Sequence, residues 1–128
     1  MDMRPCRSIK LSDSGSTIFR FEEKREKYLW IQPESILFVK SADHYIRTLV
    51  EHKNEKKWAI RHCTVKSMLS HLTHDHFVRL NRFYIINRNC FSHFNEEEGI
   101  IYLNDGYSVD ISHGISRFIL DVLKPKCT

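Results

Sequence analysis

Glycine and proline are scarce, with 4 and 3 among 128 residues. That leaves neither a glycine-rich phosphate loop nor a nucleophile elbow, and no low-complexity linker interrupts the chain. The four cysteines, Cys6, Cys63, Cys90 and Cys127, stand far apart without a Cys-x-x-Cys pair. A zinc ribbon and a thioredoxin-like redox site are therefore not indicated, and free thiols are expected. No apolar run approaches the roughly 18 residues that a membrane span needs, and no charged-then-apolar leader with a small-residue cleavage site is seen. The expectation is a cytoplasmic protein without membrane insertion. One local absence matters most: between Phe77 and Phe94 there is no acidic residue, while Arg79, Arg82 and Arg88 are interleaved with strand-forming apolar residues.

What is present is enough apolar material to fold. Hydrophobic residues at 41% and aromatics at 12% exclude a wholly disordered chain, and the length suits one domain with a real core but not two. A net charge of +4 is only mildly basic, so its distribution says more than its size. Lys53, Lys56, Lys57, Arg61 and Lys66 meet the single acid Glu55, the acid-free stretch follows, and Glu96, Glu97, Glu98, Asp105 and Asp110 gather after it. Arginines without a local carboxylate are available to phosphates, and their planar forks also match a guanine edge. An anionic polymer is the ligand class that this pattern suits.

Residues 1–16 read as a polar tail holding one marginal alternation, Ser8-Ile-Lys-Leu11. Strands are expected at Ile18 to Phe21 and Tyr28 to Ile31, around a charged turn, and the continuous apolar run Ile36 to Val39 suits a buried strand. Tyr45 to Val50 and Trp58 to Arg61 are β-rich runs joined by Glu51 to Lys57, a hairpin with a basic tip. Ile100 to Leu103 and Tyr107 to Ile111 flank Asn104-Asp-Gly106, a strong hairpin signal. Two helices punctuate the strands. Val65, Met68, Leu69 and Leu72 fall at helical spacing behind Thr64 as cap, and Ile115, Phe118, Ile119, Val122 and Leu123 repeat that spacing behind Ser112, with Pro125 as the stop.

Phe77 to Asn87, with its Arg-x-Asn-Arg core and its Tyr-Ile-Ile-Asn run, resembles the central motif of the LytTR DNA-binding domain of bacterial response regulators. Ile36 to Tyr45 resembles the family's apolar strand and following loop, Arg61 and Val65 to Leu72 its short helix, and Ile101 to Ser112 its closing hairpin and terminal serine. The resemblance covers residues 28–124, leaving residues 1–27 as a tail with leading strands and residues 125–128 as a C-terminal tail. It implies a mainly β fold: elongated antiparallel sheets, one short internal helix and a C-terminal helix, with loops rather than a recognition helix entering successive major grooves. Neither helix carries the basic face of a helix-turn-helix reader, which agrees.

Family contact positions carried onto this chain are the loop at His44 and Tyr45 with Arg47 nearby, the Asn81–Arg82 pair, and His113. Lys56, Arg61 and Arg88 join them as phosphate contacts, and Arg117, one helical turn beyond His113, stands in for an arginine that the family usually has at that position. Asn81 occupies a position where the family commonly has histidine, so a hydrogen bond that fixes the turn is one role for it. Phe83 replaces a usual serine. Because imidazole lacks the bidentate guanine contact, worth about 1 to 3 kcal/mol of discrimination, altered site preference is expected. The partner implied is double-stranded promoter DNA, bound by a homodimer on repeated half-sites, within two-component signalling. The 27 residues before the match are too few for a receiver domain, so either a separate sensory or regulatory protein supplies the input or the chain is a fragment.

Other classes have their own signals. A basic β surface also suits a protein-interaction module with an acidic partner. His71-Leu-Thr-His-Asp-His76, with His62 and Cys63 upstream, holds enough ligand atoms for a transition metal, although the short spacing places them in a turn and the solvated-turn reading is preferred. No cofactor, metal or catalytic residue is expected, and the chain does not read as an enzyme.

Overall fold

The computed structural model describes residues 9–11, 17–72, 76–104, 106–111 and 114–123. Their order is β1 (Ile9–Leu11), β2 (Thr17–Lys24), β3 (Lys27–Ile31), β4 (Ile36–Ser41), β5 (Ile46–His52), β6 (Glu55–Arg61), α1 (Val65–His71), β7 (Phe77–Asn81), β8 (Tyr84–Asn87), β9 (Phe91–Asn95), β10 (Ile100–Leu103), β11 (Ser108–Asp110) and α2 (Arg117–Leu123). The fold is mainly β, as expected. The larger sheet runs β1-β2-β6-β5-β4-β8-β7, with β3 attached to β2, and the smaller runs β11-β10-β9. All the pairings are antiparallel.

Alternation along the strands buries both faces of the larger sheet. One face carries Val39, Ile46, Val50 and Ala59, and closes against α1 and the β2–β3 hairpin through Val65, Met68, Phe19, Phe21 and Leu29. The other carries Phe38, Leu49 and Ile86, and closes against the smaller sheet and α2 through Ile101, Leu103, Val109 and Leu123. Phe19 and Phe21 are fully buried, so β2 belongs to the core. Helix α1 follows its sequence signal: Thr64 Oγ1 accepts the Ser67 N–H at 3.0 Å, and Val65, Met68 and Leu72 are buried.

Two sequence expectations are corrected. The β5–β6 loop is two residues, not seven. Lys53 and Asn54 take φ of 51° and 65°, the left-handed pair of the hairpin turn whose twist matches that of the strands. The C-terminal helix begins at Arg117, with Ser116 Oγ accepting the Ile119 N–H at 3.3 Å. The expected cap Ser112 lies outside the described residues. Leu123 is buried and Ile119 and Leu120 pack partly against the core, whereas Phe118 is 74% exposed. The stripe is thus rotated by one residue, because Leu120 takes an inward place that the spacing gave to Phe118.

Glu23 on β2 lies 3.1 Å from Lys27 Nζ and 3.2 Å from Lys57 Nζ. Hydrogen bonds from Lys27, then Lys57, hold its carboxyl below the ordinary range, and the bond to Glu23 raises Lys57. A depressed carboxyl stabilises the fold above its unfolded value, and that contribution is lost as pH falls through the folded value. Glu23→Gln is expected to lower Tm near neutrality and to flatten the acid limb of Tm against pH. Parallel acid limbs for the two proteins, followed by circular dichroism, would contradict the assignment.

Candidate nucleic-acid interface

Antiparallel pairing gathers three connections at one end of the larger sheet. The registers Ser41↔Ile46, Ile46↔Arg61 and Lys40↔Tyr84 bring the 42–45 loop, the start of the β6–α1 connection and the Arg82–Phe83 turn side by side. The loop and the turn are tied directly, since the Ser41 N–H donates to the Phe83 carbonyl at 2.7 Å. Between the three connections lies an open cleft of roughly 430 Å3, lined by His44, Tyr45, His62, Lys66, Arg79 and Arg82, with Asp43 the one acid among its described lining residues.

The side chains differ in how firmly they are held. His44 is 91% exposed and stands 3.8 Å from Asp43. Tyr45 is half-buried and meets the His62 ring edge-on at 6.1 Å, and His62 Nε2 lies 3.7 Å from a Glu22 oxygen. Arg79 braces the turn, its Nε donating to the Asn81 carbonyl at 3.1 Å and one terminal nitrogen to the Arg82 carbonyl at 3.5 Å. Arg82 is exposed, its guanidinium 5.8 Å from the centre of the Phe83 ring. Among the described residues no ion pair joins Arg79, Arg82 or Arg88 to Glu96–Glu98. Glu98 instead accepts the Tyr102 hydroxyl at 2.9 Å, which raises that phenol.

Not every residue singled out from sequence reaches this end. Asn81 does, half-buried, with its amide bonded to Phe83 and Gly114. Arg47 follows on β5, exposed, its guanidinium 5.3 Å from the centre of the Trp58 ring. Lys56 sits beside the Lys53–Asn54 turn, opposite Glu51, about 17 Å along the strand from Arg61 at the usual rise per residue. Arg88 begins the 3-10 turn that leaves the far end of β8, and its amide donates to the His76 carbonyl. Arg117 lines a different cavity with Glu96 and Asp121. His113 lies outside the described residues.

Arg61 overturns the expectation of an outward cation. It is 4% exposed, its Nη1 donates to Cys63 Sγ at 3.1 Å and reaches Met68 Sδ at 3.8 Å, and the guanidinium lies 5.4 Å from the centre of the Phe19 ring. Strand alternation sets this: Arg61 pairs with fully buried Ile46 and so points to the inner face. Conversely, His62 and Lys66 are not among the DNA contacts expected from sequence. His62 continues the β5–β6 register opposite Tyr45, a signal that depends on knowing the two-residue turn. Among the described residues no three His, Cys, Asp or Glu side chains converge as a metal set, and His74 and Asp75 of the histidine-rich segment lie outside them. No described helix is long and apolar enough to cross a membrane.

The structure is thus a two-sheet antiparallel β fold with cationic loops collected at one sheet end. The model of the LytTr DNA-binding domain matches residues 26–122, and the chain belongs to that family. A solved structure described as the LytTr DNA-binding domain of a methyl-accepting/DNA response regulator from Bacillus cereus is similar to it, with 12% identity, a TM-score of 0.63, and coverage of 83% of this chain and 95% of that one. At that identity the likeness concerns the fold. No curated protein sequence matches the chain.

Proposed function

We propose that the protein is a transcriptional regulator that binds promoter DNA sequence-specifically, with the 42–45 loop and the Arg82–Phe83 turn entering the major groove. Two copies occupy repeated half-sites, and a sensory or regulatory protein supplies the input. The observation that carries this reading is the cleft itself, where Lys66, Arg79 and Arg82 face one opening and Asp43 is the one acid among its described lining residues. Three neighbouring cations suit a phosphate backbone, which gives affinity and register but no sequence information. Exposed His44 supplies the part that backbone contacts lack, because an imidazole nitrogen donates to or accepts from a base edge. Family membership supplies the ligand class, and the charge grouping supplies the face.

Selection of bound duplexes from a random pool tests the whole reading. Enrichment of a repeated motif is expected; a pool that stays random while the protein still binds an acidic partner protein points to an interaction module instead. With the selected duplex in hand, His44→Ala is expected to lose about tenfold in preference over a scrambled duplex, the size of one base contact, with little change on the scrambled one. Equal losses on both duplexes would make His44 a backbone contact.

A further inference from the structure

We infer that Asn81 is a positioning residue that joins the DNA-facing connections into one rigid unit and does not itself read a base. This rests on the DNA-binding reading above and specifies how that face is held. A free asparagine recognises adenine by presenting its carbonyl oxygen and its NH2 group together. In Asn81 each of these groups already makes one bond within the protein, which fixes the orientation of the half-buried amide. Oδ1 accepts the Phe83 N–H at 2.8 Å, and Nδ2 donates to the Gly114 carbonyl at 3.0 Å, across 33 residues of sequence.

The two bonds complete a longer chain. The Ser41 N–H donates to the Phe83 carbonyl at 2.7 Å, the Phe83 N–H donates to Asn81, and Asn81 donates to Gly114. The Asn81 side chain thereby links the turn that carries Arg82 to the segment entering α2, and the backbone bond from Ser41 joins the 42–45 loop to the same turn. The recipient is itself constrained, because Gly114 takes φ +71°, a conformation that side-chain-bearing residues rarely adopt. A half-buried amide is suited to this task, since leaving either group without its bond carries a desolvation cost. The consequence falls on specificity more than on affinity. Phosphate contacts tolerate small displacements of a long flexible cation, whereas base contacts require the loops to be held within about half an ångström of each other.

Two substitutions in the full chain separate the bonds. Asn81→Asp keeps the acceptor for Phe83 and loses the donor to Gly114; Asn81→Ala loses both without adding charge. Peptide-level hydrogen exchange of the free protein is expected to rise across 114–120 in both variants, and across 82–86 in Asn81→Ala alone. Preference for the selected duplex over a scrambled one is expected to fall about tenfold in both, with the salt slope on the scrambled duplex unchanged for Asn81→Ala. Unaltered exchange at 114–120 overturns the tether. Raised exchange with unaltered preference overturns its role in reading. Loss of preference in Asn81→Asp alone assigns the effect to charge repulsion and overturns the proposal as well. If the parent protein shows no preference between duplexes, the DNA reading and the role in specificity fail, while the exchange measurement still decides whether the tether exists.

Discussion

Arg82→Ala is expected to weaken binding to selected and scrambled duplexes alike, by about ten- to a hundredfold at moderate salt, the range of about 1.5 to 3 kcal/mol for one lost hydrogen bond between charged groups. The guanidinium is exposed on a turn that Arg79 and Asn81 hold from behind, so truncation removes a charge without disturbing the scaffold. No ion pair holds it among the described residues, in contrast to Lys57, which lies between Glu23 and Glu55. If Arg82 meets a phosphate, the slope of log affinity against log salt should become shallower by about 0.9. Arg82→Lys should keep that slope while losing part of the affinity, because ammonium retains the charge but not the planar fork. Alanine and parent curves that coincide would remove Arg82 from the interface.

Arg61→Ala is expected to act on the fold instead. Its side chain fills the space between Phe19, Cys63 and Met68, so truncation leaves a cavity and should cost about 2 to 4 kcal/mol. For a chain of this size that corresponds to a fall in Tm on the order of 10 °C. The remaining folded protein should bind DNA with the parental salt slope, since no phosphate contact has been removed. Arg61→Met, similar in length and apolar, should recover much of the stability. A normal Tm combined with a shallower salt slope would restore Arg61 to the DNA-facing set.

The contrast between these two arginines shows what the sequence made legible. Both stand among apolar residues, and local charge counting treats them alike. Strand register separates them, and the register of β5 on β6 depends on Lys53 and Asn54 both adopting left-handed backbone. Read as a seven-residue basic loop, the tip hides the pairing that turns Arg61 inward beside Ile46 and places His62 opposite Tyr45. The strands themselves were legible because their apolar runs are long and mostly buried, as in Ile36 to Val39. So was α1, where the apolar spacing and the Thr64 cap agree. Helix α2 was less so, because a run containing Ile115, Phe118, Ile119, Leu120, Val122 and Leu123 fits more than one inward face, and the tertiary contacts select the one that leaves Phe118 exposed.

The cleft was partly legible. His44, Tyr45 and Arg82 were placed by family motif, and they meet because antiparallel strands return their connections to one sheet end. The same geometry sends Lys56 and Arg88 to the other end. Their charge is visible in the sequence, but its position depends on which strand terminus each one occupies. Asn81 shows the remaining gap: a hydrogen bond that fixes the turn could be anticipated from its position, whereas the bond to Gly114 spans 33 residues and exists only in three dimensions.

Amide hydrogen exchange of the full chain, with and without the selected duplex, bears most directly on the claim that this sheet end is the DNA-binding face. Bound duplex should slow exchange across 41–46 and 79–84 while leaving the β2–β3 hairpin and the Lys53–Asn54 turn as they are in the free protein. Protection centred on the Lys53–Asn54 turn and Arg88, with the 42–45 loop unchanged, would place the DNA at the opposite end and contradict the assignment.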